Sequence, residues 1–437
     1  MKDIAFGVFG LFVLIAIAFL FSNNKRKIRW DQVGIGIGLQ LVFAIFVLLT
    51  PWGATFFDWI ASFFVKIISF TFDGAKFVFG ALADQTLFAK AFPKNLQASA
   101  GFIFAFQVLP TIIFFSSLMS VLYHLGIMQK IVQGMAWVMA KAMKVSGAES
   151  ISVAANVFIG QTEAPLVVRP YVEPMTKSEL LTLMIGGMAT IAGGVLAAYV
   201  GLLGGTDPAQ QLFYAKHLLS ASIMAAPATI VIAKILVPET EQSITMGKVK
   251  VEVEKTASNV IEAAATGAAD GLKLALNVAA MLLAFIALIA MSNWIITGVA
   301  TDWLGITSNG QPITLEMLLG WMLSPIAWVI GVPWHDAITV GSLIGQKVVL
   351  NEFIAYLKLS EIIPLHIIGE KAIIISTYAL CGFANFSSIA IQIGGIGGIA
   401  PSRRSDLAKF GLKAVLGGSL ATFMTATIAG VLISLIH

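Results

Sequence analysis

A run of six residues, Gly160-Gln161-Thr162-Glu163-Ala164-Pro165, sits between two apolar segments, Ile151–Ile159 and Leu166–Val168. It places an amide, a hydroxyl and a carboxylate inside a stretch otherwise suited to hydrocarbon. Asn351-Glu352-Phe353 repeats the arrangement in the other half of the chain, between Val348–Leu350 and Ile354–Tyr356. The rest of the chain decides how these breaks are read. Its 437 residues are 58% hydrophobic and 11% charged, where a soluble domain carries about 25% charged residues. Both carboxylates are therefore expected inside a membrane. A carboxylate at mid-bilayer costs roughly 2.5–3.5 kcal/mol on insertion scales, so it is rarely there without a function.

The apolar runs are long and lack two-residue alternation, which excludes a transmembrane β-barrel. What remains is an all-α polytopic membrane protein. The pI near 9.0 does not suggest nucleic acid, because the basic residues sit in short loops, as the positive-inside rule expects. Cys381 is the only cysteine, so no intrachain disulfide is possible. The histidines, His124, His217, His335, His366 and His437, show no paired metal-ligand spacing. Ile4–Phe21 is long enough to span and lacks a small-residue cleavage site, so it reads as a retained helix rather than a signal peptide.

Charge sets the orientation. Lys25-Arg26-Lys27-Ile28-Arg29 is the densest positive cluster of the first half and should be cytoplasmic, with the N-terminus outside. Val33–Thr50 returns to the outside. Pro51–Leu82, aromatic and bearing Asp58, Lys66 and Asp73, reads as interfacial. Gly101–Leu125 goes in, and Met128–Met143 suits an amphipathic helix on the cytoplasmic face. Residues 151–172, broken at their middle, fit a re-entrant hairpin; irregular backbone at that depth requires surrounding protein or water.

Residues 180–203 go out, with a break at Ala189-Thr190-Ile191-Ala192-Gly193-Gly194, and Leu218–Val237 comes back. The most charged linker, Pro238–Lys255, is cytoplasmic by parity. Asn259–Val299 is a long tilted helix going out. Leu315–Ile330 is placed in the outer interface, since a crossing there would leave Arg403 and Arg404 outside. The second hairpin, about residues 335–357, then enters from outside. Residues 372–400 go in, broken at Gly382-Phe383-Ala384-Asn385-Phe386-Ser387-Ser388. Leu407–Ile436 goes out.

The sum is eight transmembrane helices plus two re-entrant hairpins. The segments divide into N-terminal scaffold helices (1–99), a first core repeat (100–255), and a second part (256–437) that adds the long scaffold helix. Each half has a hairpin with a glutamate at its tip, followed by a broken helix. Hairpins entering from opposite faces are the pattern of inverted repeats in secondary transporters, where substrate binds near the midplane.

A helix cap followed by proline would explain Thr162 and Pro165, but not a carboxylate at mid-depth. A hairpin tip reaching water would explain Asn351 and Glu352, though not their match to the first half. Asn385, Ser387 and Ser388, and likewise Asn156 and Thr190, could be polar glue between helices. Side-chain oxygens and carbonyls freed by a helix break could equally hold a hard cation such as Na⁺. Asp270 and Lys273 read as an interfacial ion pair. Gly394-Gly395-Ile396-Gly397-Gly398 follows no strand and precedes no lysine, so it reads as close helix packing rather than a phosphate loop. The chain has no GxxxxGK[ST] element to supply an ATP drive.

Several stretches together resemble the concentrative nucleoside transporters. They are Asn156 through Pro165, Pro238-Glu239-Thr240-Glu241, Gly345-Gln346-Lys347 with Asn351-Glu352-Phe353, and Gly382 through Ser388. The resemblance covers roughly residues 100–436. It implies a homotrimer in a bacterial inner membrane, surrounded by lipid, with one nucleoside site per protomer. It implies that Gln161, Thr162 and Glu163 address the base, with Phe383 nearby, and that Glu352, Asn385 and Ser388 address the ribose. It implies a Na⁺ site made of the Asn156 and Thr190 side chains and the Ile159 and Ile191 carbonyls. Threonine at 190 in place of serine keeps the hydroxyl. Gly160-Gln161 resembles members that accept both purine and pyrimidine nucleosides, and the family moves its core by an elevator-like alternating access.

Three rival functions stay open on the sequence. A carrier driven by H⁺ would hold the proton on Glu163 or Glu352. An intramembrane enzyme would use the same two carboxylates as acid and base, although no metal motif or nucleophile elbow accompanies them. A channel would not accumulate its solute.

Overall fold

A computed structural model describes residues 2–92, 102–247, 257–308 and 310–435. The main helices are α1 (Lys2–Leu20), α2 (Trp30–Leu49), α3 (Pro51–Phe79), α4 (Leu109–His124), α5 (Ile127–Met143), α6 (Gly147–Asn156), α7 (Ala164–Val167), α8 (Lys177–Ala189) and α9 (Gly193–Gly204). They continue as α10 (Pro208–Leu236), α11 (Val260–Thr297), α12 (Leu315–Val329), α13 (Trp334–Val349), α14 (Glu352–Ile362), α15 (Glu370–Leu380), α16 (Phe386–Ile399) and α17 (Arg404–Ile433). The described strands are a short antiparallel pair, Thr307–Ser308 with Gln311–Pro312.

Eight helical stretches are long and apolar enough to cross a membrane, but they are not the expected eight. Pro51–Leu82, expected to lie in the interface, contains the unbroken 29-residue α3, and the stretch Pro51–Ala89 is one of the eight. Its Asp58 is held by Lys216 at 2.8 Å, so the charge does not interrupt the helix. Residues 372–400 are broken where expected, into α15 of 11 residues and α16 of 14, and neither alone is long enough to count among the eight. α12, expected in the outer interface, folds back on α13 with a bend of 116°. The first bent segment starts at Gly147 rather than 151, and the second runs on to Ile362 rather than 357. Residues 248–255 of the charged linker, residue 101 and His437 lie outside the described residues.

Burial separates a centre from a shell. The apolar windows of α8–α9, α10 and α17 are each 89% buried, whereas those of α1 and α11 are 22% and 17% buried. α10 and α17 pack on each other, on α8 and on α15. α11 packs chiefly along α4, where Gly267 and Gly271 lie against Ser116, Ser117 and Ser120. A helix of 38 residues is about 57 Å long, nearly twice a hydrocarbon core of about 30 Å. It must tilt or emerge.

One end of the molecule gathers the basic loops. Asn23 donates its backbone N–H to Leu236 at 2.9 Å and accepts from Lys413. Gln32 donates to the Met143 carbonyl at 2.9 Å, and Arg403 donates to the Glu173 carbonyl at 2.9 Å. The opposite end joins Lys371 to Asp3 at 2.7 Å. Gly7 and Gly10 of α1 there lie against Val431 and Thr427 of α17.

At the basic end, two capping boxes start the central helices. Ser146 and Glu149 begin α6, and Thr176 and Glu179 begin α8. The second carboxylate oxygen of Glu149 pairs with buried Lys234 at 2.7 Å. Lys234 also donates to Ser178 at 3.0 Å, and the Ser243 hydroxyl donates to Glu179 at 2.5 Å. The start of the linker thus ties the ends of α6, α8 and α10 together.

Candidate functional site

Four breaks between helices converge among the described residues. α6 stops at Asn156 and α7 starts at Ala164, with Pro165 on its first turn. Between them lie Gln161, Thr162 and Glu163. α13 stops at Val349, and Asn351 starts α14 by accepting from the Ile354 N–H at 3.0 Å. α8 and α9 are separated at Thr190–Ala192. α15 and α16 are separated at Cys381–Asn385, and Asn385 caps α16 by accepting from the Ser388 N–H at 2.9 Å.

The side chains meet in one chain of hydrogen bonds. Glu352 is buried and accepts from the Tyr199 hydroxyl at 2.9 Å and the Asn385 amide at 3.0 Å. Asn385 holds Ser388, whose hydroxyl accepts from the Gln161 amide at 3.1 Å. Gln392 donates to the Gln161 carbonyl oxygen at 3.1 Å and to the Met184 carbonyl at 2.9 Å. Ser387 donates to Asn385 at 2.7 Å. A set of amides, hydroxyls and one carboxylate in an apolar surround can read vicinal hydroxyls and a neutral ring edge, since each buried polar group demands a partner.

The remaining residues divide. Phe383 is half-buried beside Asn385. Thr162 is half-buried against Gly395; Gly397 of the same run lies against Arg404, whereas Gly394 and Gly398, expected to pack closely, have nothing within 4 Å of where a Cβ would sit. Glu163 is exposed, unlike the buried Glu352. The physical reason is local: its carboxylate folds back over Gly160, where a Cβ would come within 2.2 Å of Oε2. Tyr199 and Gln392 do not stand out in the sequence. Both sit inside apolar helical runs, where a lone tyrosine or glutamine gives no motif.

Asn156 is buried, and its amide nitrogen donates to the Ser152 carbonyl at 2.9 Å. That orientation leaves its buried Oδ1 without a hydrogen-bond partner among the described residues. Thr190 is buried and donates to the Gly186 carbonyl at 2.9 Å, and Gly186 also lies against Asn156. The Phe158 carbonyl accepts from Gly193 at 3.0 Å, which fastens the first tip to the break of α8–α9. Ile191 is buried and Ile159 half-buried. An orphaned amide oxygen beside a hydroxyl and a helix break is a donor set of hard oxygens, and it fits Na⁺. Among the described residues, no group of three or more His, Cys, Asp or Glu could hold a metal ion.

Models of the Na⁺ dependent nucleoside transporter N-terminus, of nucleoside recognition and of the Na⁺ dependent nucleoside transporter C-terminus match residues 9–82, 105–206 and 217–430. The nucleoside permease NupC of Helicobacter pylori is 40% identical over 98% of this chain and 98% of its own. The chain belongs to the concentrative nucleoside transporter family. It is a multi-pass membrane transporter and not an enzyme. An uncharacterized transporter of Haemophilus influenzae is 46% identical over 98% of the chain, covering 97% of its own length. Mouse sodium/nucleoside cotransporter 1 is 39% identical over 97% of the chain and 63% of the cotransporter. The transporter is also similar to CNTnw in an inward-facing substrate-bound state, at 43% identity and TM-score 0.89, covering 99% and 98% of the two chains. An outward-facing variant of CNTnw gives 42% identity and TM-score 0.90, covering 100% and 99%.

Proposed function

We propose that this transporter imports purine and pyrimidine nucleosides together with Na⁺, as a homotrimer in a bacterial inner membrane. The observation that carries the reading is the hydrogen-bonded chain from Tyr199 through Glu352, Asn385 and Ser388 to Gln161. A ribose takes its place on Glu352, Asn385 and Ser388. The base takes Gln161, Thr162 and Glu163, with Phe383 beside it. Glu352, Asn385, Ser388 and Gln161 already bond to one another, so binding exchanges hydrogen bonds instead of stranding them.

Asn156 and Thr190, with the Ile159 and Ile191 carbonyls, hold the Na⁺. Because the Phe158 carbonyl joins the first tip to that break, order at the ion site becomes order at Gln161. A neutral nucleoside carried with one Na⁺ gains about 2.3 kcal/mol per 100 mV. A tenfold Na⁺ gradient adds about 1.4 kcal/mol, which together support roughly 500-fold accumulation.

The two bent segments act as re-entrant hairpins of inverted repeats. The hairpin-bearing core of α6–α10 and α13–α17 moves as an elevator past a scaffold of α11 and its neighbours. The high burial of α8–α10 and α17 and the low burial of α11 support that division. Both termini lie outside the cell.

Proteoliposome uptake of a nucleoside panel, at fixed membrane potential with and without Na⁺, tests the reading. Na⁺-dependent accumulation of unaltered nucleoside is expected. Accumulation driven by a pH gradient in choline would transfer the coupling to H⁺. Equilibration without accumulation would overturn the symport.

A further inference from the structure

Lys347 is completely buried on α13, five residues before Glu352. Its ammonium donates to the Ala379 carbonyl at 2.8 Å and to the Thr422 hydroxyl at 3.1 Å, and it lies 5.8 Å from the centre of the Phe423 ring. Ala379 belongs to the last turn of α15, where carbonyls have no intrahelical donor left. Tyr356 of α14 serves Thr377 in the same turn, at 2.7 Å. Side chains from both arms of the second bent segment thus close the end of α15.

The first half has a matching break with a different solution. α8 stops at Ala189, and Thr190 returns to Gly186. No ammonium is bonded there among the described residues, and the buried Oδ1 of Asn156 is left without a partner. A helix C-terminus carries roughly half a negative charge. The helix C-terminus at each break therefore favours a cation, as the helix N-terminus beyond it favours an anion, and each tip carries one carboxylate, Glu163 or Glu352.

We propose that Lys347 is the tethered cation of the second break, filling there the role that Na⁺ fills at the first. This rests on the Na⁺ reading above. It makes Lys347 a positioning residue: it fixes the end of α15, and so the Cys381–Asn385 turn that presents Asn385 and Ser388 to substrate. It also leaves one exchangeable cation per protomer, because the second position is covalently occupied. The buried Glu352 has its compensating charge in its own half, so a neutral substrate need not bring one.

The test uses the full-length transporter purified in detergent, with uridine as probe. Lys347→Ala is expected to weaken uridine binding by about tenfold or more at Na⁺ concentrations that saturate the wild type. Ammonium or methylammonium should restore most of that loss, and choline at equal ionic strength should not. Lys347→Arg keeps the charge and donors but enlarges a fully buried side chain, so it should bind uridine more tightly than Lys347→Ala and gain nothing from ammonium. Wild-type binding by Lys347→Ala overturns the proposal. So does a loss that no small cation repairs in protein whose thermal unfolding is unchanged. Should the alanine variant fail to fold, Lys347→Gln, which retains more of the volume, reads the same titration. Wild-type uridine binding that ignores Na⁺ would remove the ion from the first break, while ammonium rescue measured in choline still decides Lys347.

Discussion

The amide of Gln161 donates to the hydroxyl of Ser388 at 3.1 Å, although 227 residues separate them. This bond joins the first bent segment to the broken helix of the second half, so the candidate site exists only when both halves are docked. Gln161→Ala and Ser388→Ala should each weaken nucleoside binding by about five- to tenfold, the cost of about 1 kcal/mol for one lost bond. The double variant should lose less than the product, because one shared contact is removed twice. A binding titration of all four proteins measures it. Strict additivity would mean that the two side chains act separately.

Glu352 and Glu163 sit in different surroundings and should respond differently in mechanism but alike in direction. Glu352→Gln keeps the shape yet faces the Asn385 amide with a group that can no longer accept twice at full charge. Glu163→Gln alters an exposed carboxylate folded over Gly160. Each is expected to cut nucleoside uptake by at least about tenfold at equal membrane abundance. Uptake at the wild-type level in both variants would falsify the site assignment.

The polar tips are legible in the sequence because an apolar run rarely tolerates a carboxylate without a function. Asn385, Ser388 and Gln161 do come together, as their positions in matched breaks suggest. Tyr199 and Gln392 are not legible, because neither interrupts its helix and each is recognisable only by the partner it reaches. The exposure of Glu163 is hidden for the opposite reason: its carboxylate folds back over Gly160, a local contact that composition does not encode. The charges of α3 suggest an interface, yet the helix is long and unbroken, and Lys216 of α10 neutralises Asp58. That pairing joins two elements distant in the chain and leaves no local signal.

The shared end of the basic loops bears on orientation. Lys413 meets Asn23, and Arg403 meets Glu173, so the loops before α2 and before α17 lie on one face. The start of α1 and the end of α17 lie on the other. If the positive loops lie in the cytoplasm, as the charge rule expects, both termini should lie outside. With Cys381 removed, a membrane-impermeant thiol reagent applied from outside should label a cysteine at position 437 and spare one at 403. The reverse labelling would sink the orientation.

Lys234 and Glu149 are 3% and 2% exposed and 2.7 Å apart. Removing one partner leaves the other charge buried, at a cost of about 3–5 kcal/mol. Lys234→Met should therefore lower the thermal unfolding temperature markedly in detergent. Lys234→Met with Glu149→Gln should recover part of the loss, since the fully buried charge is gone and only the partly exposed Glu239, 3.6 Å from the lysine, loses its partner. Equal stabilities of the single and double variants would show that the clamp holds by packing and not by charge.

The last expectation concerns the ion. Asn156 Oδ1 is a buried acceptor with no donor among the described residues, and Thr190 lies against the same glycine, Gly186. If Na⁺ binds there and orders the tip that carries Gln161, the two ligands must help each other equally. Nucleoside must raise Na⁺ affinity by the factor by which Na⁺ raises nucleoside affinity. Asn156→Ala and Thr190→Ala should then leave the intrinsic nucleoside contacts intact and raise the Na⁺ concentration needed for binding. Titrations of nucleoside at several Na⁺ concentrations separate the two effects. Variants that keep the wild-type Na⁺ dependence, or a wild type that binds equally in choline and in Na⁺, would remove the ion from this position. Coupling to H⁺ through one of the two glutamates would then be the reading to pursue.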